Sequence, residues 1–564
     1  MRLSENIIIS TIDLLINTYH FPTPFINKMI EEFGLKDCET TLNKKLSNNE
    51  KLKLILNAQG SILFTGSNDI NIEIRRRIID HWSEYEINEC FIKWGKSLGN
   101  SKVHKVGKLA NLKWHSGKQW ANKFVEISGF DKVFTGIANE SKKSKFEDIE
   151  PIIKPPQLKD FQIELKNALI KTLNEKGIEA KCVISLPTGG GKTRTAVEAF
   201  IEWLQPRFAE GKYLIWLAQS EELCEQAIAS ISQVWSSKEF TDSLRVYRYY
   251  GSNDFNIDDL CGGVVVCTIQ KIYNAVTNDT PFIQEVISNC GALLIDEAHR
   301  ATSPMYQKLY EYSQKLNGEP MFPICGLTAT PGRNGETYKL SELFQSKLYT
   351  PNLGDEYNKN PLAYFRNNKF LAVPIHKIVN TNFNIEDFKI DENLKDEEIK
   401  DELEKYFKKT LNKKLATDIN RNIKIISTLS QFKKGMQSLV YACTVEHATY
   451  LASMMNFLGR SAVVVSSDTR KPLRRKYIEQ FKNGEIEFIF NYGVLTTGFD
   501  APKTENIVIC RPTFSDVLYE QIVGRGLRGP KFGGTETCTI IDFCDNFFRF
   551  GDQQAYMRFK DFWS

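Results

Sequence analysis

The chain of 564 residues lacks any C-x-x-C pair, although 12 cysteines are scattered from Cys38 to Cys544. The closest spacings, Cys261/Cys267 and Cys538/Cys544, suit neither a zinc ribbon nor a zinc finger. The thiols therefore read as reduced core residues of a cytoplasmic protein. There is no apolar run of the roughly 18–20 residues a membrane-spanning helix needs. The isoleucine-rich start, Ile7-Ile8-Ile9, has Glu5 and Asp13 beside it and no signal-peptide cleavage pattern, so neither export nor a membrane partner is expected. Charge of one sign is missing too. The 73 Lys+Arg against 69 Asp+Glu leave a net +4, a balance that says little, because a basic surface can hide inside a neutral total. With 42% hydrophobic residues, wholesale disorder is excluded. The length suits about three or four domains.

Four textures follow one another. Residues 1–140 mix helical patterns with Lys- and Trp-bearing segments and read as an N-terminal, mainly helical accessory domain. Ser141-Lys142-Lys143-Ser144-Lys145, then Pro151, Pro155 and Pro156, mark a linker over 141–157. From 158 to 345 the pattern is α/β. Short apolar runs (Cys182-Val183-Ile184, Tyr213 to Leu217, Val264-Val265-Val266, Leu293-Leu294-Ile295) look like strands buried on both faces of a parallel sheet. Ala196, Val197, Phe200, Ile201 and Leu204 recur at helical spacing up to Pro206. Residues 346–414 read as a connecting segment, with Leu394, Ile399, Leu403, Phe407 and Leu411 on a charged amphipathic helix. The α/β texture returns over 415–564, ending in a tail, with candidate strands at Ser438–Tyr441, Ala462–Val465, Phe488–Phe490 and Ile507–Ile509.

The strand ending near Leu186 runs into Pro187-Thr188-Gly189-Gly190-Gly191-Lys192-Thr193 and then a helix. Glycines let a backbone wrap closely around phosphates, with N–H groups and a helix N-terminus facing the anion. Lys192 is placed to bind the β/γ-phosphates of ATP and the Thr193 hydroxyl to bind Mg²⁺. The strict G-x-x-x-x-G-K-[ST] pattern departs at Leu186, where it asks for glycine. Downstream, Ala292-Leu293-Leu294-Ile295 delivers Asp296-Glu297-Ala298-His299 to a strand's carboxyl end. Asp296 is expected to hold Mg²⁺ through its water shell and Glu297 to orient the attacking water. His299 is either a relay from Glu297 or a hydrogen-bonded core histidine.

With this DEAH box the chain resembles the superfamily 2 helicases and translocases. Leu158-Lys159-Asp160-Phe161-Gln162 looks like the segment whose glutamine reads adenine, a role that would fall to Gln162. Ala218-Gln219-Ser220 and Thr268-Ile269-Gln270 resemble motifs that contact the nucleic-acid backbone, and Thr328-Ala329-Thr330-Pro331 resembles the motif that couples hydrolysis to domain movement. Leu495-Thr496-Thr497-Gly498-Phe499-Asp500-Ala501-Pro502 resembles motif V, and Gln521-Ile522-Val523-Gly524-Arg525-Gly526-Leu527-Arg528 resembles motif VI. The wording of the last two is similar to the branch of type III restriction subunits and RadD-like repair helicases. The resemblance, over about 158–547, implies two tandem RecA-like doubly wound parallel-sheet domains. It also implies nucleotide contacts at Gly498 and Asp500, a nucleic-acid contact at Thr496 and coupling through Gln521. A guanidinium from a second lobe stabilises a phosphoryl-transfer transition state by roughly 10³–10⁵ in rate. Arg525 and Arg528, three residues apart, are the candidates.

Between Phe91 and Val125 stand eight lysines and no acid, interleaved with Trp94, Trp114 and Trp120. Either these form an accessory nucleic-acid surface, lysines on phosphates and indoles on bases, or the indoles are core and the lysines a solvated face. The expected function is an ATP-dependent helicase or translocase on DNA, ahead of RNA, in a bacterial defence, restriction or repair system. A protein partner supplying nuclease or effector activity is expected with it. The rival is an ATP-switched clamp within a larger defence complex.

Overall fold

The computed structural model describes residues 2–95, 101–136, 146–149, 157–175, 180–238, 242–318, 322–329, 342–345, 347–358, 361–384, 409–495, 501–513 and 516–546. Two sheets organise it. The first holds β1 (Phe146–Ile149), β2 (Lys181–Ser185), β3 (Tyr213–Ala218), β4 (Leu244–Tyr249), β5 (Gly263–Thr268), β6 (Cys290–Asp296), β7 (Ile324–Thr328) and β8 (Leu348–Tyr349), in the order β1-β4-β5-β3-β6-β7-β2-β8. All neighbours run parallel except β1 against β4. The second holds β9 (Val373–Asn384), β10 (Ser438–Tyr441), β11 (Ala462–Ser466), β12 (Phe488–Tyr492), β13 (Asn506–Ile509) and β14 (Thr537–Asn546), in the order β11-β12-β10-β13-β14-β9, parallel throughout. Each α/β block of the sequence is thus a doubly wound lobe, as expected.

The apolar runs read as strands are strands, and they are buried on both faces as a helix-covered parallel sheet requires. Strands in the connecting stretches were not foreseen. β1 lies within 141–157, while β8 and β9 lie within 346–414 and join the first and second sheets respectively. β9 carries Pro374 and takes an edge, where a missing N–H costs no ladder bond. Leu394, Ile399, Leu403 and Phe407 lie outside the described residues. The chain is helical over 409–417, with Leu411 and Leu415 buried.

The N-terminal region is helical, with eight α-helices between Glu5 and Ile127 among the described residues. It docks on the second lobe. Leu52, Ile55 and Leu56 belong to the same apolar cluster as Ile425, Leu429, Val440, Leu451 and Met454. The Thr41 hydroxyl meets the Tyr450 hydroxyl at 2.5 Å, and the Arg2 N–H donates to the Tyr477 hydroxyl at 2.9 Å. The tryptophans settle as core. Trp114 and Trp120 are buried around Phe124, and half-buried Trp94 packs edge-on against Trp120, so stacking of Trp114 and Trp120 on bases is overturned. Several lysines are held by neighbours: Lys102 by the Asp80 carbonyl, Lys105 by Asn88, Lys123 by Glu89. Lys108, Lys113 and Lys118 are exposed.

Candidate nucleotide site and lobe interface

Three adjacent strands of the first sheet, β6, β7 and β2, bring their carboxyl ends together. Ser185 pairs with Thr328 and Asp296 with Leu327, so Thr328 sits between the phosphate loop and the acids. Crevices beyond the carboxyl ends of such strands are where open α/β sheets bind ligands. From β2 the chain turns through the loop into the helix Lys192–Leu204. Gly189 and Gly191 have φ of +86° and +85°, a left-handed backbone that a side chain would strain. A Cβ on Gly191 would also stand 2.4 Å from Gln162 Nε2. The loop is a cradle built for close backbone approach.

Lys192 donates to the Leu186 carbonyl at 3.0 Å. Burial lowers its pKa, partly offset by Glu297, Asp296 and Glu520 and reinforced by Arg525. Asp296 is pushed up to about 7, by burial first and then by the charge of Glu297, against Lys192 and Arg525. Glu297 follows with φ +55°, and its N–H donates to Asp296 Oδ1 at 3.0 Å. A left-handed non-glycine residue costs about 1–2 kcal/mol; here it sharply turns the chain between the two acids. His299, buried, places Nδ1 at 3.4 Å from both Glu297 Oε2 and Thr328 Oγ1. The ring thus bridges the acid that follows β6 and the threonine that ends β7, an arrangement that suits a relay and a hydrogen-bonded core histidine alike.

The second lobe closes over this loop. A Cβ on Gly189 would lie 3.6 Å from Arg528 Cγ and 3.3 Å from Leu371 Cδ2, and one on Gly524 would lie 2.4 Å from Thr188 Cγ2. Arg525 acts electrostatically on both Lys192 and Asp296. The lysine, the acids and the distant arginines of the sequence are therefore brought together. Gln521 is buried in the helix Asp516–Val523, its Nε2 without a hydrogen-bond partner among the described residues. Gln162 sits behind the loop, its Oε1 accepting from the Lys159 N–H and its Nε2 reaching the Gly190 carbonyl at 3.5 Å. Adenine reading would have to re-pair this amide. Thr268 is a buried residue at the N-terminus of the helix Ile269–Thr277, while Gln270 is exposed on it. Thr330, Thr496, Gly498 and Asp500 lie outside the described residues.

Mg²⁺ and ATP can be tested against these donors. Asp296 and the half-buried Thr193 flank a glycine cradle. One carboxylate and one hydroxyl suit a small octahedral cation that takes its remaining ligands from phosphates and water. The set fits.

Sequence reasoning missed several contacts. Glu520 reaches the field of Lys192, and Thr188 meets Gly524 across the lobes. Glu222 of the first lobe pairs with Arg474 of the second at 2.5 Å. Gln219 donates to the Tyr306 hydroxyl at 2.6 Å. The adjacency of Gln521 to Glu520 was visible in the chain; the cross-lobe contacts had no local signal.

Two family models match this chain. One is "Type III restriction enzyme, res subunit", over residues 156–333, and the other "Helicase conserved C-terminal domain", over 419–529. The chain belongs to the superfamily 2 helicases. Within that family it is related to type III restriction subunits. Relatives of this helicase chain include IRC3 of Saccharomyces cerevisiae, named as an ATP-dependent helicase, at 28% identity over 69% of this chain and 51% of that protein. The Schizosaccharomyces pombe protein of that name is 24% identical over 69% of this chain and 58% of its own. Helicase 22 of a Sulfolobus islandicus filamentous virus is 24% identical over 79% and 71%. The chain thus spans little more than half the length of the two yeast proteins. A solved structure of Saccharomyces cerevisiae Dbp5 bound to RNA is similar at 13% identity and a TM-score of 0.46, over 71% of this chain and 87% of that one. No helix among the described residues is long and apolar enough to cross a membrane.

Proposed function

We propose that the chain is a nucleic-acid-stimulated ATPase that couples ATP hydrolysis to movement along DNA. The observation that carries this is the convergence on one loop: Lys192 follows the glycines after β2, Asp296 and Glu297 stand at the end of β6 with only β7 between, and the second lobe brings Gly524 against Thr188 and Arg528 against Gly189, with Arg525 between them in sequence. In this reading Lys192 and the loop N–H groups hold the phosphates. Glu297 takes the proton of the attacking water, His299 passes its charge state to Thr328, and Arg525 and Arg528 stabilise the charge that develops on the γ-phosphoryl oxygens. Mg²⁺, held by Asp296 and Thr193, supplies charge neutralisation of the phosphates. Nucleotide then joins the lobes, and its hydrolysis lets them part.

DNA rather than RNA and a defence, restriction or repair setting, with a nuclease- or effector-bearing partner, are supported by the wording of motifs V and VI and by the restriction-subunit family model, and a cytoplasmic location by the scattered cysteines without a C-x-x-C pair. Replacing Lys192 by Ala is expected to abolish DNA-stimulated phosphate release; hydrolysis that persists at wild-type rate refutes the site. Stimulation compared across single-stranded DNA, duplex, fork and RNA, at two salt concentrations, tests the substrate, since phosphate-dominated binding weakens steeply with salt.

A second reading, an ATP-switched clamp whose output lies in a partner, is favoured by one observation. The N-terminal helices share a core with the second lobe, so lobe closure would swing a whole domain. Strand displacement by the isolated chain would refute it.

A further inference from the structure

We propose that Asp542 is the positioning residue for Arg525: buried on β14, it fixes through the Tyr519 hydroxyl the roll of the helix that delivers the arginine to the phosphate site. This rests on the ATPase reading above and deepens it.

The helix Asp516–Val523 is only eight residues long. Its inward side chains Tyr519, Ile522 and Val523 are buried in the apolar cluster shared by the lobes. Such contacts hold a short helix down but are non-directional, so they leave its rotation and register weakly defined. A directional contact ties them to the sheet. The Tyr519 hydroxyl donates to Asp542 Oδ2 at 2.8 Å, and His376 Nε2, on β9, lies 2.7 Å from the same oxygen. Asp542 is itself tied into the sheet on both sides, paired with Ile509 of β13 and Ile378 of β9. The anchor is thus the sheet.

The path from anchor to arginine is short and continuously hydrogen-bonded. Gly524 N–H donates to the Glu520 carbonyl at 2.8 Å, Arg525 N–H to that of Ile522 at 3.2 Å and Gly526 N–H to that of Val523 at 3.1 Å. A rotation of Tyr519 is therefore passed to Arg525, six residues on. A buried carboxylate is an expensive way to fill space: burial alone drives the Asp542 pKa upward, and the two donors pull it back. Apolar side chains would pack there at lower cost. What a carboxylate adds is a fixed direction for the tyrosine hydroxyl, and transition-state contacts are lost steeply with small displacements.

The test is steady-state ATP hydrolysis by the full chain with saturating DNA, with Y519F, which keeps the ring and loses the hydroxyl, beside D542N and the double variant. Expected are a kcat lowered about tenfold in Y519F, an ATP KM within about twofold of wild type and a melting midpoint only slightly lowered. The double variant should be no slower than D542N, because both changes cut one link. Y519F at full kcat overturns the proposal, as does a double variant whose losses multiply. If D542N fails to fold, Y519F alone decides. K192A separates the two layers: a wild-type chain without Lys192-dependent hydrolysis overturns the ATPase reading and the proposal with it. Lys192-dependent hydrolysis with an unaffected Y519F overturns the proposal alone.

Discussion

Gly524 meets the phosphate loop across the lobes, and its lack of a side chain is what lets the two approach there. A Cβ there would stand 2.4 Å from Thr188 Cγ2 and 3.0 Å from the Glu520 carbonyl oxygen. The first contact crosses the lobes; the second lies within the same turn. G524A should therefore hold the second lobe off the phosphate loop and displace Arg525 by a few tenths of an ångström or more. Displacements of about 1 Å cost on the order of 100-fold in rate, so kcat is expected to fall at least tenfold while nucleotide still binds the first lobe. The added Cβ would also stand 2.6 Å from Thr188 Cβ, so T188G, which removes both atoms, should restore part of that loss in the double variant. Hydrolysis rates of the four proteins of this cycle check it; a G524A enzyme that Thr188→Gly does not improve would mean the cross-lobe contact is not the limiting one. Glu297 offers a second check at this scale. E297Q keeps the turn but cannot accept the proton of water, so it should bind ATP like the wild type and hydrolyse it at least about 100-fold more slowly, as read by nucleotide binding beside phosphate release.

The elements explain which parts of this arrangement were legible beforehand. Lys192, Thr193, Asp296 and Glu297 could be read because each group is contiguous in the chain and stands where an apolar run stops, which is where β2 and β6 end. β9 and β14 were not legible: one opens with Val373-Pro374 and ends beside a charged stretch, the other follows a glycine-bearing turn, and their pairing with each other, with that of β14 to β13, defines them. Trp114 and Trp120 could not be sorted from the lysines around them, because lysine-rich surface and indole core share one stretch of sequence, Trp120 on the helix Gln119–Ile127 and Trp114 in the loop before it. His447 is a case that only structure reveals. It sits in the first turn of the helix Val445–Phe457, where Nδ1 accepts from the Cys443 N–H at 3.2 Å and Nε2 faces Asn422 Oδ1 at 3.0 Å. Burial, aided by Arg421, pulls its pKa down to about 3. In the folded chain the ring stays neutral, while in the unfolded chain it takes a proton below about 6.5. The unfolded state thus binds more protons between those values, so this stability is complete above pH 6.5 and is lost as pH falls toward 3. At pH 5 the loss is about 2 kcal/mol. H447Q should melt lower than wild type at pH 7.5 yet lose less on going to pH 5.0; parallel curves for the two proteins would exclude His447 as the titrating group.

At the scale of the whole molecule, the second lobe shares one apolar cluster with the N-terminal helices and another with the first lobe. Leu52, Ile55 and Leu56 pack in the cluster that holds Leu451 and Met454, and the contact between the lobes adds the Glu222–Arg474 ion pair, both partners half-buried. Arg474 and Tyr477 stand on one helix, Lys471–Lys482; the first reaches the first lobe and the second accepts from Arg2. Closure of the lobes is therefore expected to carry the N-terminal domain along as ballast fixed to the second lobe. Native-state hydrogen exchange tests this. Where one core is shared, amides of the helices Asn48–Gln59 and Val445–Phe457 should exchange through a common opening and respond alike to any change at their junction. Y450F removes the Tyr450–Thr41 hydrogen bond, worth about 1 kcal/mol. It should speed exchange in both helices by about the same fivefold factor, while the helix Lys192–Leu204 of the first lobe keeps its rate. Acceleration confined to Val445–Phe457 would mean that the N-terminal helices open on their own, and the lever would then be a hinged one.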